Sequence, residues 1–155
     1  MALTKINNNT LSAVTTLPAA IATGKVLQVV STSTTTEAST TSTSWQNTSL
    51  TANITPSATS SKIYIIGSTN GQSAGSNERN NLSIFRDSTN LGDSAAGLAV
   101  QMSNVYTNIT MTFLDSPSST SQLTYQVYMK GTNGNTAKVS ANGPHAVITA
   151  FEIGA

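Results

Sequence analysis

The sequence predicts an all-β fold, a jelly-roll-like antiparallel β-sandwich preceded by an extended N-terminal arm. Three observations carry that expectation. Apolar residues of the 155-residue chain cluster in short runs that alternate at period two, the spacing of half-buried strands. Asn, Gly, Ser, Asp and Pro punctuate these runs every ~8–12 residues, as in a sandwich or barrel. No stretch sustains the 3.6-residue period of an amphipathic helix. At 16.0 kDa the chain is long enough to close one core.

Residues 1–24 stand apart as the arm, and residues 25–155 form the predicted sandwich domain. In the arm, Leu3, Ile6, Leu11, Val14, Leu17 and Ile21 recur every three to five positions. Asn7-Asn8-Asn9, the β-branched Val14-Thr15-Thr16 and Pro18 disfavour a helix there. The expectation is an extended segment that docks on a neighbouring subunit or partner, with Leu3, Ile6, Leu11, Val14 and Leu17 as the contact residues.

The strands follow in order. Lys25–Thr35 holds a buried VLQVV run, with Ser31–Ser44 as its exposed continuation or a loop. Trp45–Thr48 is a short strand, and Leu50, Ala52 and Ile54 alternate up to Pro56. Lys62–Ser68 is a strong buried strand, and Gly67–Asn80 reads as a loop because of its glycines and amides. Asn81–Arg86 puts Leu82 and Ile84 on one face and Phe85 on the other, before a turn at Asp87–Asn90. Leu91-Gly92-Asp93 follows, with a weaker segment at Leu98–Met102. Ile109, Met111 and Phe113, then Leu123, Tyr125, Val127 and Met129, mark two more alternating strands. Gly131–Asn135 is a hairpin-type turn leading to Thr136–Ala141. In the last strand, His145–Ile153, Val147, Thr149, Phe151 and Ile153 face one way and Ala146, Ile148 and Ala150 the other. Apolar residues on both faces place it mid-sheet or at a subunit interface.

One internal echo stands out. Pro56-Ser-Ala-Thr-Ser and Pro117-Ser-Ser-Thr-Ser lie 61 residues apart, each eight residues before a tyrosine, Tyr64 and Tyr125. Two related hairpins would produce this pattern, with both tyrosines in the core.

Composition narrows the function. Thr, Ser and Asn number 26, 22 and 15, while only 8% of residues are charged and the net charge is +1. Classical disorder pairs low hydrophobicity with high net charge; 37% apolar content at this charge indicates a folded chain. A +1 balance leaves no electrostatic footprint for nucleic acid. No apolar run suits a membrane helix, and INNNT after Lys5 interrupts any secretion signal. The N-x-[ST] triplets at Asn8, Asn47, Asn53, Asn81 and Asn108 match the chance expectation of about five, so they reflect composition rather than glycosylation.

Catalytic chemistry has few parts available. Without Cys there is no thiol nucleophile, disulfide scaffold or thiolate metal site. His145 is the sole imidazole and no G-x-S-x-G elbow accompanies it. The six carboxylates are Glu37, Glu78, Asp87, Asp93, Asp115 and Glu152, and none pairs by spacing. Asp87 beside Arg86 suggests a cap or ion pair, and Asp115 opens a D-S-P-S turn. No calcium-loop ligand series occurs. The expectation is a protein that is not an enzyme and binds no metal or cofactor.

Several segments together resemble a family of bacteriophage virion proteins from marine and freshwater phages. They are Gly24–Val30 (GKVLQVV), Ile54–Ile63 (ITPSATSSKI), Phe85–Asp87 (FRD), Phe113–Ser121 with Thr124–Val127, and Phe151-Glu152-Ile153. The lead-in LTKIN with Leu17-Pro18 is also similar; Asp87-Ser88-Thr89 departs from the family's R-D-G-T turn. The resemblance implies a homotrimeric structural protein on the virion surface, made in the host cytoplasm. The short chain favours a head decoration (cement) protein whose arm residues bury against the major capsid protein or another virion subunit. The alternative it implies is a tail-fibre or receptor-binding tip recognising host surface glycans.

Overall fold

The computed structural model describes residues 24–73, 78–102, 104–140, 143 and 145–154. Among them every regular element is a strand: β1 (Val26–Thr34), β2 (Ala38–Thr40), β3 (Gln46–Ile54), β4 (Lys62–Ser73), β5 (Asn80–Arg86), β6 (Thr89–Asn90), β7 (Ala99–Gln101), β8 (Thr107–Asp115), β9 (Leu123–Gly131), β10 (Ala137–Val139) and β11 (Ala146–Ile153). They form two antiparallel sheets, as the alternation predicts. The arm residues Leu3, Ile6, Leu11, Val14 and Leu17 lie outside the described residues.

The first sheet is organised around β4. One edge of β4 pairs with β11 over Lys62–Ser68 and with β10 over Gly71–Ser73; the other edge pairs with β8 from Ile63 to Gly71. β1 adds beyond β11, and β2 beyond β10. In the second sheet β9 lies between β3 and β5, and β6 and β7 share the far edge of β5. The inward faces close one core: Ile63, Ile65, Met111 and Ile148 from the first sheet meet Leu50, Leu82, Ile84, Tyr125 and Val127 from the second. Strictly alternating exposure along β9 and β11 reflects this one-sided burial.

The structure corrects several expectations. β4 continues to Ser73, through much of the segment read as a loop. Thr69, Asn70 and Ser73 are buried polar residues, so that half of the strand lacks an apolar signature. Trp45–Thr48 and Leu50–Ile54 do not make two strands; β3 runs unbroken from Gln46 to Ile54, with a register shift between Asn47 and Thr51 and Ser49 at φ 66°. The VLQVV run expected to be buried is largely exposed along β1, and the long Ser/Thr run yields the end of β1 and the short β2. The last strand does lie mid-sheet, between β1 and β4, whereas Gly131–Asn135 is no hairpin turn: it joins β9 of the second sheet to β10 of the first.

The two Pro-Ser segments are not hairpin turns within one sheet. The first carries the chain from β3 in the second sheet to β4 in the first, and the second carries it back from β8 to β9. Pro lacks the N–H that would continue the ladder, so each marks a corner. Inward-facing Ile54 and Ile63 flank the first corner nine positions apart, whereas Asp115 and Leu123 flank the second eight apart. A one-residue offset reverses every side chain. Tyr125 is therefore fully buried, while Tyr64 stands on the outer face against Phe151, with ring centroids 6.3 Å apart.

Candidate functional site

Two carboxylates lie on the inward face of the first sheet, in one row. Glu152 of β11 is opposite Ile63 of β4, and Ile63 is opposite Asp115 of β8. Two interstrand spacings set the carboxylate-bearing Cα atoms about 10 Å apart. That separation prompts a test as a hydrolytic pair.

The side-chain chemistry is that of two structural pins. Oε1 of Glu152 accepts from the Ser57 N–H at 2.7 Å, the Ser57 hydroxyl at 2.6 Å and the Ser61 hydroxyl at 2.7 Å. Oε2 accepts from the Gln28 amide at 2.6 Å. Burial by itself raises the pKa of this carboxyl, but the four donors outweigh it and hold it down at about 2. A general acid needs the opposite displacement. Asp115 takes two bonds from Arg86 Nη1, at 2.8 and 2.7 Å, one from the Tyr125 hydroxyl at 2.7 Å and one from the Ser116 N–H at 2.9 Å. Each carboxylate thus ties down one Pro-Ser corner. Arg86 reaches Asp115 rather than its sequence neighbour Asp87, whose Oδ1 instead accepts the Thr124 N–H.

Other site chemistry is sparse. A cavity of about 10 Å³, lined by Thr34, Thr48, Leu50, Thr69 and Val139 among others, has room for about one water. Among the described residues no three His, Cys, Asp or Glu side chains gather as metal ligands. His145 is exposed at the start of β11.

The outer faces of the two sheets differ sharply. A strap of residues 91–98 folds over the outside of the second sheet. Its Ser94 carbonyl accepts from Trp45 Nε1 at 3.1 Å and Lys130 Nζ at 3.2 Å, and its Ala95 carbonyl from Asn81 Nδ2 at 2.9 Å. Beneath it Phe85 stacks on Tyr128 with centroids 4.1 Å apart and meets Trp45 edge-on. Lys130 Nζ sits 4.5 Å from the Trp45 ring centre, a cation–π contact. Gly97, at φ +75°, permits the close approach of strap to sheet, because a Cβ there would run into the Leu82 carbonyl.

The outer face of the first sheet carries no such cover among the described residues. Register places Val29, Phe151, Tyr64 and Leu114 in one row across β1, β11, β4 and β8. Val26, Ile153 and Lys62 form the row on one side of it, and Ser31, Thr149, Ile66 and Thr112 the row on the other. Val26, Val29 and Leu114 are 52%, 53% and 50% exposed. Val29, Phe151, Tyr64 and Leu114 thus make an apolar strip spanning four strands. Sequence reasoning identified its β11 portion through the two-sided last strand, but the full row depends on register. It missed the Glu152 pin, whose signal was parity: position 152 continues the inward series Ala146, Ile148, Ala150. Comparisons of the chain with protein-family models and with curated proteins return no match.

Proposed function

We propose that this chain is a structural protein of the bacteriophage virion surface, a jelly-roll-like homotrimer that decorates the head and attaches to the major capsid protein through its N-terminal arm. The observation that carries the reading is the apolar outer face of the first sheet, uncovered among the described residues, which suits a subunit of an assembly. The resemblance of residues 24–155 to phage virion proteins supplies the biological setting. The chemistry agrees with a passive role: both buried carboxylates are saturated by donors that hold corners of the fold. In this reading Leu3, Ile6, Leu11, Val14 and Leu17 bury against capsid subunits, and symmetry multiplies their weak contacts.

The test is co-sedimentation of the purified protein with phage heads lacking it, with and without residues 1–20, beside a host-cell binding assay. Loss of head binding on truncation, with no cell binding by either form, is the expected result. Cell binding retained by the truncated protein overturns decoration in favour of a glycan-recognising tail tip. Electron microscopy of labelled virions locates the protein independently. With 8% charged residues, head binding should change little between about 50 mM and 500 mM salt.

A further inference from the structure

We infer that the outer face of the first sheet is the surface on which a second copy of this chain docks, through the strip Val26, Val29, Phe151, Tyr64 and Leu114. The inference rests on the homo-oligomeric part of the proposed function and names the surface that builds it.

Four features of the face select a second copy as its occupant. Charge comes first. Lys62, at one end, is the only acidic or basic side chain on these rows among the described residues, because Glu152 and Asp115 point inward. A face almost without charge meets its own copy without like-charge repulsion and offers nothing to recognise a strongly charged partner.

The hydroxyls of the face are the second feature. Ser31 Oγ lies 2.9 Å from Thr149 Oγ1, and Ser68 Oγ lies 3.4 Å from Thr110 Oγ1. These groups bond one another in the plane of the sheet, which lowers the cost of removing water from above them.

Size is the third. Four strands at about 4.8 Å and some eight residues at about 3.3 Å outline a footprint on the order of 500 Å². Two such faces together remove on the order of 1,000 Å² from water, the area at which specific interfaces begin.

The fourth is the contrast with the other sheet. Its outer face is already occupied by the 91–98 strap, tied down at Ser94 and Ala95. Among the described residues the apolar face is the uncovered one, and copies related by a threefold axis can turn it inward together.

The test uses the full-length chain and light scattering coupled to size exclusion. Val29→Asp with Leu114→Asp puts charge at two positions that are half exposed, so the core is untouched. The expected result is a wild-type mass that is a multiple of 16.0 kDa, falling to 16.0 kDa in the double variant. Unchanged circular dichroism in that variant excludes unfolding, and the milder Val29→Ser with Leu114→Ser should weaken self-association at least tenfold. The control Asn53→Asp, on the exposed outer side of β3, should keep the wild-type mass. A monomeric wild type, or an oligomer that survives Val29→Asp with Leu114→Asp, overturns the inference. So does dissociation by Leu11→Asp with Val14→Asp, which would assign the face to the arm instead. Head co-sedimentation is scored separately, so virion attachment can fail while this inference holds, and the reverse.

Discussion

Changing Glu152 to Gln preserves side-chain volume and removes the charge at a point where four donors converge. Three of them, the Ser57 N–H and the hydroxyls of Ser57 and Ser61, share Oε1 at 2.6–2.7 Å. The carboxylate's charge is what holds three donors on one oxygen with two lone pairs, and a neutral amide oxygen keeps two of them. One donor therefore loses its partner, at about 1–3 kcal/mol. The other two bonds lose their charge assistance, about half their strength. The Gln28 amide can meet the new NH₂ with its oxygen only by rotating its Nε2 away from the Thr55 carbonyl, to which it donates at 2.7 Å, so one contact is exchanged for another. The sum is about 3 kcal/mol, a fall in Tm of roughly 6–12 °C for a domain of this size. Urea and thermal denaturation at pH 7 measure it. The pH dependence provides a second constraint. The folded pKa of Glu152 lies at about 2, below its ordinary 4.5. A depressed carboxyl contributes stability in full above its unfolded pKa and loses it as pH falls through the folded value. The wild type thus forfeits this contribution progressively below about pH 4.5, while the variant has none to lose. The gap between them should narrow from pH 7 to pH 3. A gap under about 1 kcal/mol at pH 7, or one that stays constant down to pH 3, would refute the pin.

Tyr125→Phe removes the buried hydroxyl bonded to Asp115 but leaves Arg86 in place, and should cost about 1–3 kcal/mol by urea denaturation. Burial first, and then the bond to Asp115, push the Tyr125 phenol up from its ordinary 10.0. Its neutral form stabilises the fold fully below pH 10, and that contribution is lost at higher pH; absorbance titration of wild type against Tyr125→Phe should show no Tyr125 ionisation below about pH 11. Gly97→Ala places a Cβ against the Leu82 carbonyl at a left-handed φ, so the strap should lift. Trp45, the single tryptophan, reports this as a red-shifted emission with about 2 kcal/mol or more of lost stability. Ile148→Ala, in the fully buried centre of β11, should cost about 2–5 kcal/mol in the same denaturation assay.

What the residues reveal in advance depends on how local the cause is. β9 and β11 are visible because one face is buried along their whole length, which imposes period two on the sequence. The second half of β4 is hidden because its buried residues include Thr69, Asn70 and Ser73, whose side chains resemble those of a loop. Tyr64 and Tyr125 look equivalent by spacing from their prolines. A single residue in the corner, invisible to motif matching, sends one outward and the other into the core. Arg86 has Asp87 beside it in the chain, yet strand register delivers Asp115 to it instead. The outer strip is half visible: Phe151 and Ile153 stand out in the last strand, but their alignment with Val29, Tyr64 and Leu114 is a property of three strand pairings. Such long-range pairings leave no trace in any one segment.

The strap over the second sheet has a consequence for how far association can proceed. A sandwich with two adhesive faces could stack copy upon copy without end, as open-ended contacts do when their rotation does not close. Here residues 91–98 cap one of the two faces, held by the Trp45, Lys130 and Asn81 bonds. A copy that docks through its first sheet turns the strap, rather than a second open sheet face, to the solvent. On the proposed self-docking, growth through sheet stacking should stop at a small closed assembly, and lifting the strap with Gly97→Ala should turn discrete particles into filaments or precipitate.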